Sequence, residues 1–264
     1  MKDVPSLNEV VAVIRSYKNP GVLKQVKALR SFIPLIIVVI NEQEDCGATK
    51  AWLAELNDPC VYLIEIKKGY TWTKALNESL QQIQFMNALP GMDGQYKYVF
   101  NVSVEARFER HHIESMLKQF TDEKVGAVGA SFSGRCEGNK VNLGLSYWHL
   151  RNTGMLVRLF VFRQEMLSYG FSGFCDGIGG MEDIDFVCRM EVFTEMKSVM
   201  LDLKVPLIVG KHYNQPEKER REREAMDEIF NRYEAWADRL HGVVKKFGHD
   251  KWTNRLQRVI KKLS

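Results

Sequence analysis

The chain has 264 residues, of which 45% are hydrophobic and 27% charged, with a formal net charge of +4. That length suits one large α/β domain or two small ones with a sizeable core. The charge is too mild to mark a nucleic-acid binder, and no apolar run approaches the roughly 18 residues that cross a bilayer. Cys46, Cys60, Cys136, Cys175 and Cys188 are widely spaced and form no C-x-x-C pair, which argues against a zinc ribbon or disulfide framework and for a reducing compartment. The opening Met-Lys-Asp-Val-Pro has no apolar signal region, so a cytoplasmic location is expected.

In chain order, Val10 to Tyr17 is a short apolar run that turns polar at its end, and Asn19-Pro20-Gly21 is a turn. Val22 to Phe32 has helical periodicity. Leu35-Ile-Ile-Val-Val-Ile40 is the β-branched run of a buried parallel strand. Asn41 to Asp45 reads as an acidic loop, Thr49 to Leu56 as a helix and Val61 to Ile66 as a third strand. Thr73 to Met86 is amphipathic, with Ala75, Leu76, Leu80, Ile83 and Met86 on one side, and Tyr96 to Asn101 is a fourth strand. Arg110 to Phe120 reads as a helix, Val125 to Ser131 as a small-residue strand, and Gly134 to Leu145 as a Gly/Asn-rich loop. Met155 to Phe162 is apolar apart from Arg158, and Val199 to Val209 is strand-like with Pro206 marking an edge or an end. Repeated βαβ units of this length predict a mostly parallel sheet with helices on both faces.

Ligands of such sheets bind beyond the carboxyl ends of the strands, where the strand order switches. The polar tips to search are therefore Arg15-Ser-Tyr17, Asn41 to Asp45, Lys67-Lys68 and Asn101 to Glu105. A fifth segment stands out, Gly179-Gly-Met-Glu-Asp-Ile-Asp-Phe186. Acidic residues in the first turn of a helix are favoured by its unpaired N–H groups, and the same field keeps them ionised. Ionisation is what a general base requires. The segment reads either as a catalytic base behind a glycine hinge or as an acidic helix cap.

The order of these pieces resembles family 2 glycosyltransferases of the GT-A fold. The carriers are the Arg-Ser-Tyr strand end with Asn-Pro after it, Lys68-Gly-Tyr-Thr-Trp-Thr-Lys-Ala-Leu-Asn77, Asn152 to Arg158, Gly170-Phe171, and the Glu-Asp of Gly179 to Asp185. The resemblance implies a Rossmann-like, mostly parallel sheet in a catalytic domain over residues 1–213, followed by a helical extension over 214–264. It implies transfer of a sugar from a nucleotide-diphosphate sugar to an acceptor hydroxyl with inversion, Asp183 being the base and Glu182 an acceptor or sugar contact. Arg15 and Tyr17 would line the nucleotide pocket, and Glu42 and Asp45 would contact base or ribose. Lys68 and Arg151 would face the departing charge, as would Lys67, Lys211 and His212. In that family the fourth strand ends in Asp-x-Asp, which binds Mg²⁺ or Mn²⁺ on the diphosphate. Here Asn101 and Ser103 stand in those places. Glu105 would supply a carboxylate if the strand continued far enough to present all three on one face, and His212 would be a further metal ligand.

Two alternatives stay open. The neutral Asn101 and Ser103 also fit a non-catalytic GT-A-like module that binds a nucleotide or glycan. The last segment, Leu240 to Ser264, is basic and amphipathic. It would hold the protein at the inner face of a membrane carrying a lipid-linked acceptor, pack on the catalytic domain, or join two copies. No G-x-G-x-x-G, P-loop or G-x-S-x-G motif is present, and no second carboxylate pair marks a glycoside hydrolase.

Overall fold

The computed structural model describes residues 4–16, 19, 21–45, 47–69, 71–92, 94–133, 154–162, 183, 186, 187, 190 and 196–206. Among them the strands are β1 (Val10–Ser16), β2 (Leu35–Asn41), β3 (Val61–Ile66), β4 (Tyr98–Ser103), β5 (Val125–Ser133), β6 (Gly154–Arg158) and β7 (Lys197–Pro206). The helices are α1 (Gly21–Arg30), α2 (Glu42–Asp45, a single turn), α3 (Ala48–Leu56), α4 (Trp72–Asn87) and α5 (Arg110–Leu117). One sheet runs β3-β2-β1-β4-β6-β5-β7. The pairings β1–β2, β1–β4, β2–β3 and β5–β7 are parallel, and β6 runs antiparallel to both β4 and β5. The protein is thus a mixed α/β structure with a mostly parallel seven-stranded sheet flanked by helices. The boundary expected at residue 213 and the extension beyond it lie outside the described residues.

The centre of the sheet is buried on both faces. Val10 to Ile14 and Leu35 to Ile40 are at most 3% exposed. Covering both sides demands an unbroken apolar run rather than alternation, and each such side chain withdrawn from water stabilises by about 1.5–3 kcal/mol. One layer packs Ala12, Ile14, Ile36, Val38 and Phe100 against Val22, Val26 and Leu29 of α1 and Ile113, Met116 and Leu117 of α5. The other packs Val11, Val13, Ile37, Val39, Val99, Met155 and Val157 against Ala75, Leu76, Leu80, Ile83 and Met86 of α4, together with Phe186, Val187 and Met190. The i, i+3, i+4 spacing in α1 and α4 aims these side chains at the sheet. Thr71 caps α4, its Oγ1 accepting from the Lys74 N–H at 3.0 Å.

Several element boundaries differ from those the sequence suggests, and side chains explain two of them. β4 starts at Tyr98, because the Asn87 side chain takes both backbone groups of Tyr96, donating to its carbonyl at 2.7 Å and accepting from its N–H at 2.9 Å. Glu42 to Asp45 is helical rather than a loop, opened by Asn41 Oδ1 accepting from the Gln43 N–H at 3.2 Å. The apolar stretch after Met155 divides into antiparallel β6 and a 3₁₀ turn over Leu159–Phe162. Pro206 is the last residue of β7, which pairs only with β5 among the described strands.

Arg30 fastens the end of α1 to the turn before β3. Its Nε donates to Asp58 Oδ2 at 2.8 Å, and its Nη1 donates to the carbonyls of Ile33 and Pro34 at 2.8 and 2.9 Å. The Arg30 hydrogen bond holds the Asp58 carboxyl below its ordinary value, helped by the Cys60 N–H. A carboxyl whose folded pKa is depressed adds stability that is present above its unfolded value, about 3.9, and is lost as pH falls through the lower folded value. Asp58→Asn is expected to lower stability by about 1 kcal/mol at pH 7, with the gap from wild type closing below about pH 4, as read by urea denaturation across pH.

Candidate functional site

The chain lays down β1, β2 and β3 outward in one direction, then crosses to set β4 on the other side of β1. The strand order therefore reverses between β1 and β4, and their carboxyl ends frame the crevice in which ligands of such sheets bind. Register sets the occupants. Val13 pairs with Asn101 and Arg15 with Ser103. Period-two alternation puts Arg15, Asn101 and Ser103 on the face of Val11, Val13 and Val99, which is the α4 side. Arg15, expected in the nucleotide pocket, and Asn101 and Ser103, standing in the places of Asp-x-Asp, thus become neighbours across two strands.

Asn101 is 1% exposed. Its register partners are Val13 in β1 and Met155 in β6, neither of which carries a hydrogen-bonding group suited to it. Its Nδ2 is buried with no hydrogen-bond partner. An unmet buried donor of this kind costs about 1–3 kcal/mol.

β4 stops at Ser103. Ser103 Oγ accepts from the Glu105 N–H at 3.2 Å, and the Ala106 N–H donates to the Ser103 carbonyl at 3.3 Å. The hydroxyl folds the next residues into a turn, so the extended strand that would align Asn101, Ser103 and Glu105 on one face does not form. Glu105 stands half-buried in that turn. Arg107 secures it: the Arg107 N–H donates to the Pro206 carbonyl at 2.9 Å, and Nη1 donates to the Val104 carbonyl at 2.7 Å and to Gln25 Oε1 at 2.9 Å. Gln25, 1% exposed, is a polar residue the sequence reading passed over. Its signal was there, since it sits within the Val22, Val26, Leu29 stripe of α1.

The other tips are arranged as follows. Asp45 is 2% exposed, and both its oxygens serve the start of α3. Oδ2 accepts from the Thr49 N–H at 2.7 Å, and Oδ1 accepts from Thr49 Oγ1 at 2.5 Å. Thr49 Oγ1 also lies 3.5 Å from Ser16 Oγ, so the first turn of α3 is joined to the end of β1. Glu42 is exposed. Lys67 and Lys68 are exposed beside an open cleft of about 440 Å³ that Ile64, Ile66, Lys74 and Glu78 also line. Lys74 Nζ donates to the Lys68 carbonyl at 2.9 Å.

Asp183 is 5% exposed. It is helical, as are Phe186, Val187 and Met190, at the i, i+3, i+4, i+7 spacing of one stripe. The last three belong to the α4-side layer. Met190 Sδ lies 2.5 Å from where a Cβ on Gly126 of β5 would sit, so this stripe rests directly on the sheet. Asp183 therefore heads a stripe on the same layer that carries Arg15, Asn101 and Ser103. Tyr17, Arg151, Glu182, Lys211 and His212 lie outside the described residues, as does the Gly134 to Leu145 loop.

A divalent cation is implied by the sequence resemblance. Mg²⁺ and Mn²⁺ take anionic oxygen ligands. At the end of β4 the side chains are a neutral amide that directs an N–H₂ inward and a hydroxyl engaged with the next turn. No group of three His, Cys, Asp or Glu able to hold a metal occurs among the described residues. These residues do not fit a hard divalent cation. No helix among the described residues is long and apolar enough to cross a membrane.

No family model matches the sequence, and no curated protein matches it. Among solved structures, the chain is similar to a glycosyltransferase involved in the glycosylation of the major capsid of PBCV-1, at 7% identity and a TM-score of 0.38, covering 83% of this chain and 99% of that one.

With both Asp45 oxygens held by Thr49, Asp45→Ala is expected to lower stability by about 1–3 kcal/mol, the cost of leaving buried donors unsatisfied. Thermal and urea unfolding of the variant check this.

Proposed function

We propose that this chain is a glycosyltransferase that moves a sugar from a nucleotide-diphosphate sugar to an acceptor hydroxyl with inversion at the anomeric carbon. The observation that carries the reading is the sharing of one sheet layer by two groups of residues. Arg15, Asn101 and Ser103 stand at the β1/β4 reversal, and the buried Asp183 heads a stripe packed on the same side of the sheet. Transfer needs both: an anion-holding end for the leaving diphosphate and a carboxylate for the attacking oxygen.

In this reading the Asp183 carboxylate takes the proton of the acceptor hydroxyl as its oxygen forms the new bond to the anomeric carbon. The bond from that carbon to the diphosphate oxygen breaks, and the nucleoside diphosphate leaves with the electron pair. Charge developing on it is met by fixed donors rather than by water, which is how preorganised sites lower such barriers. Arg15 and Tyr17 line the nucleotide, Glu42 reaches base or ribose, Lys68 and Arg151 add positive charge, and Glu182 contacts acceptor or sugar. The acceptor is a glycan or a lipid-linked molecule bearing a hydroxyl.

Asp183→Asn preserves shape and removes the base. It is expected to lower the rate of sugar transfer by about 10²–10⁴-fold, the usual contribution of a positioned base, with unchanged nucleotide affinity and an unchanged circular dichroism spectrum. Wild-type turnover in that variant would refute the assignment of the base. The second reading, a binding module without catalysis, draws on the neutral Asn101 and Ser103. It predicts nucleoside diphosphate binding with neither sugar transfer nor donor hydrolysis in the wild type.

A further inference from the structure

Asn101 is one place where the sheet leaves a polar demand unmet. Its Nδ2 is buried without a partner, in a position where roughly nine in ten polar groups find one. The strands on either side offer Val13 and Met155, and the hydroxyl two residues on is engaged with the Glu105 N–H. One residue-pair further along the same face stands Arg15, in register with Ser103. An amide N–H₂ and a guanidinium both donate and neither accepts. An anionic oxygen is the group that accepts from both, and the strand-order reversal is where a ligand of this sheet would bring it.

A metal makes the opposite demand. A cation needs lone pairs directed at it, whereas Nδ2 presents protons, and an ion beside Arg15 would meet like charge. We propose that this site binds a diphosphate directly, through the Asn101 amide and the Arg15 guanidinium, in place of a bridging divalent cation. That the diphosphate belongs to a sugar nucleotide rests on the transferase reading; the oxyanion site itself rests on Asn101 and Arg15. A hydrogen bond to a charged group contributes about 1.5–3 kcal/mol, so losing one weakens binding by roughly 10- to 150-fold.

The test is calorimetric titration of the full chain with inorganic pyrophosphate and with uridine, guanosine and thymidine diphosphates, each in EDTA and again in Mn²⁺. The expected result is binding in EDTA that Mn²⁺ does not strengthen, weakened about tenfold to a hundredfold by Asn101→Asp, which keeps the shape but replaces the donor with a second acceptor. Arg15→Gln is expected to do the same. If Asn101→Asp does not give the wild-type circular dichroism spectrum, Asn101→Ala carries the comparison with the same expected loss. Binding that requires Mn²⁺ overturns the inference and leaves the transferase reading standing. Pyrophosphate binding in EDTA without response to any nucleoside diphosphate upholds the oxyanion site and removes the sugar nucleotide. Absence of binding to all four ligands in both conditions overturns both.

Discussion

The parallel pairing of β1 with β2 on one side and β4 on the other is the constraint from which the rest of this structure follows. β1 is buried on both faces, and its register with β4 is held by apolar contacts along Val10 to Ile14. Because side chains alternate, a slip of one residue would send every one of them to the wrong layer. Arg15 would then point into the α1 side among Val22, Val26 and Leu29. The burial of that run thus does more than stabilise the sheet: it decides that Arg15 and Ser103 stand side by side, with Asn101 one pair behind.

Buried polar residues in this protein fall into different kinds. The Asp45, Thr49 and Ser16 group is internally satisfied where it matters, with both carboxylate oxygens engaged, and it joins α3 to the end of β1. Arg107 and Gln25 join α1, the turn after β4 and the end of β7 on the opposite layer, while Arg107 Nε and Gln25 Nε2 have no hydrogen-bond partner. Asn101 differs from both in its place. It faces the α4-side layer close to the strand-order reversal, where the geometry of the sheet leads a ligand in.

Much of the architecture was legible in the residues. Leu35 to Ile40 could only be a strand covered on both sides, and Thr73 to Met86 shows its buried stripe directly. What escaped was governed by single side chains reaching across the chain. Asn87 holds Tyr96 out of β4, and Ser103 ends that strand two residues before Glu105. The direction of β6 was also hidden, since an apolar run such as Met155 to Phe162 carries no record of which way its neighbours run. Of the candidate site, the strand tips at Arg15 and Asn101 were marked by polarity after an apolar run. Asp45 looked like its acidic neighbours, and only its place against Thr49 shows that both its oxygens are engaged in the first turn of α3.

The sequence by itself determined the core of strands β1 to β5 and of helices α1, α3, α4 and α5, and that the sheet is mostly parallel, because periodicity and β-branching act locally. Only the tertiary structure decided that β4 crosses to the far side of β1, that β6 runs against its neighbours, and that Asn101 meets Val13 and Met155 with its Nδ2 unpartnered. Those are pairings between segments dozens of residues apart. Their register is set by the joint burial of both partners, and no single stretch of chain contains it.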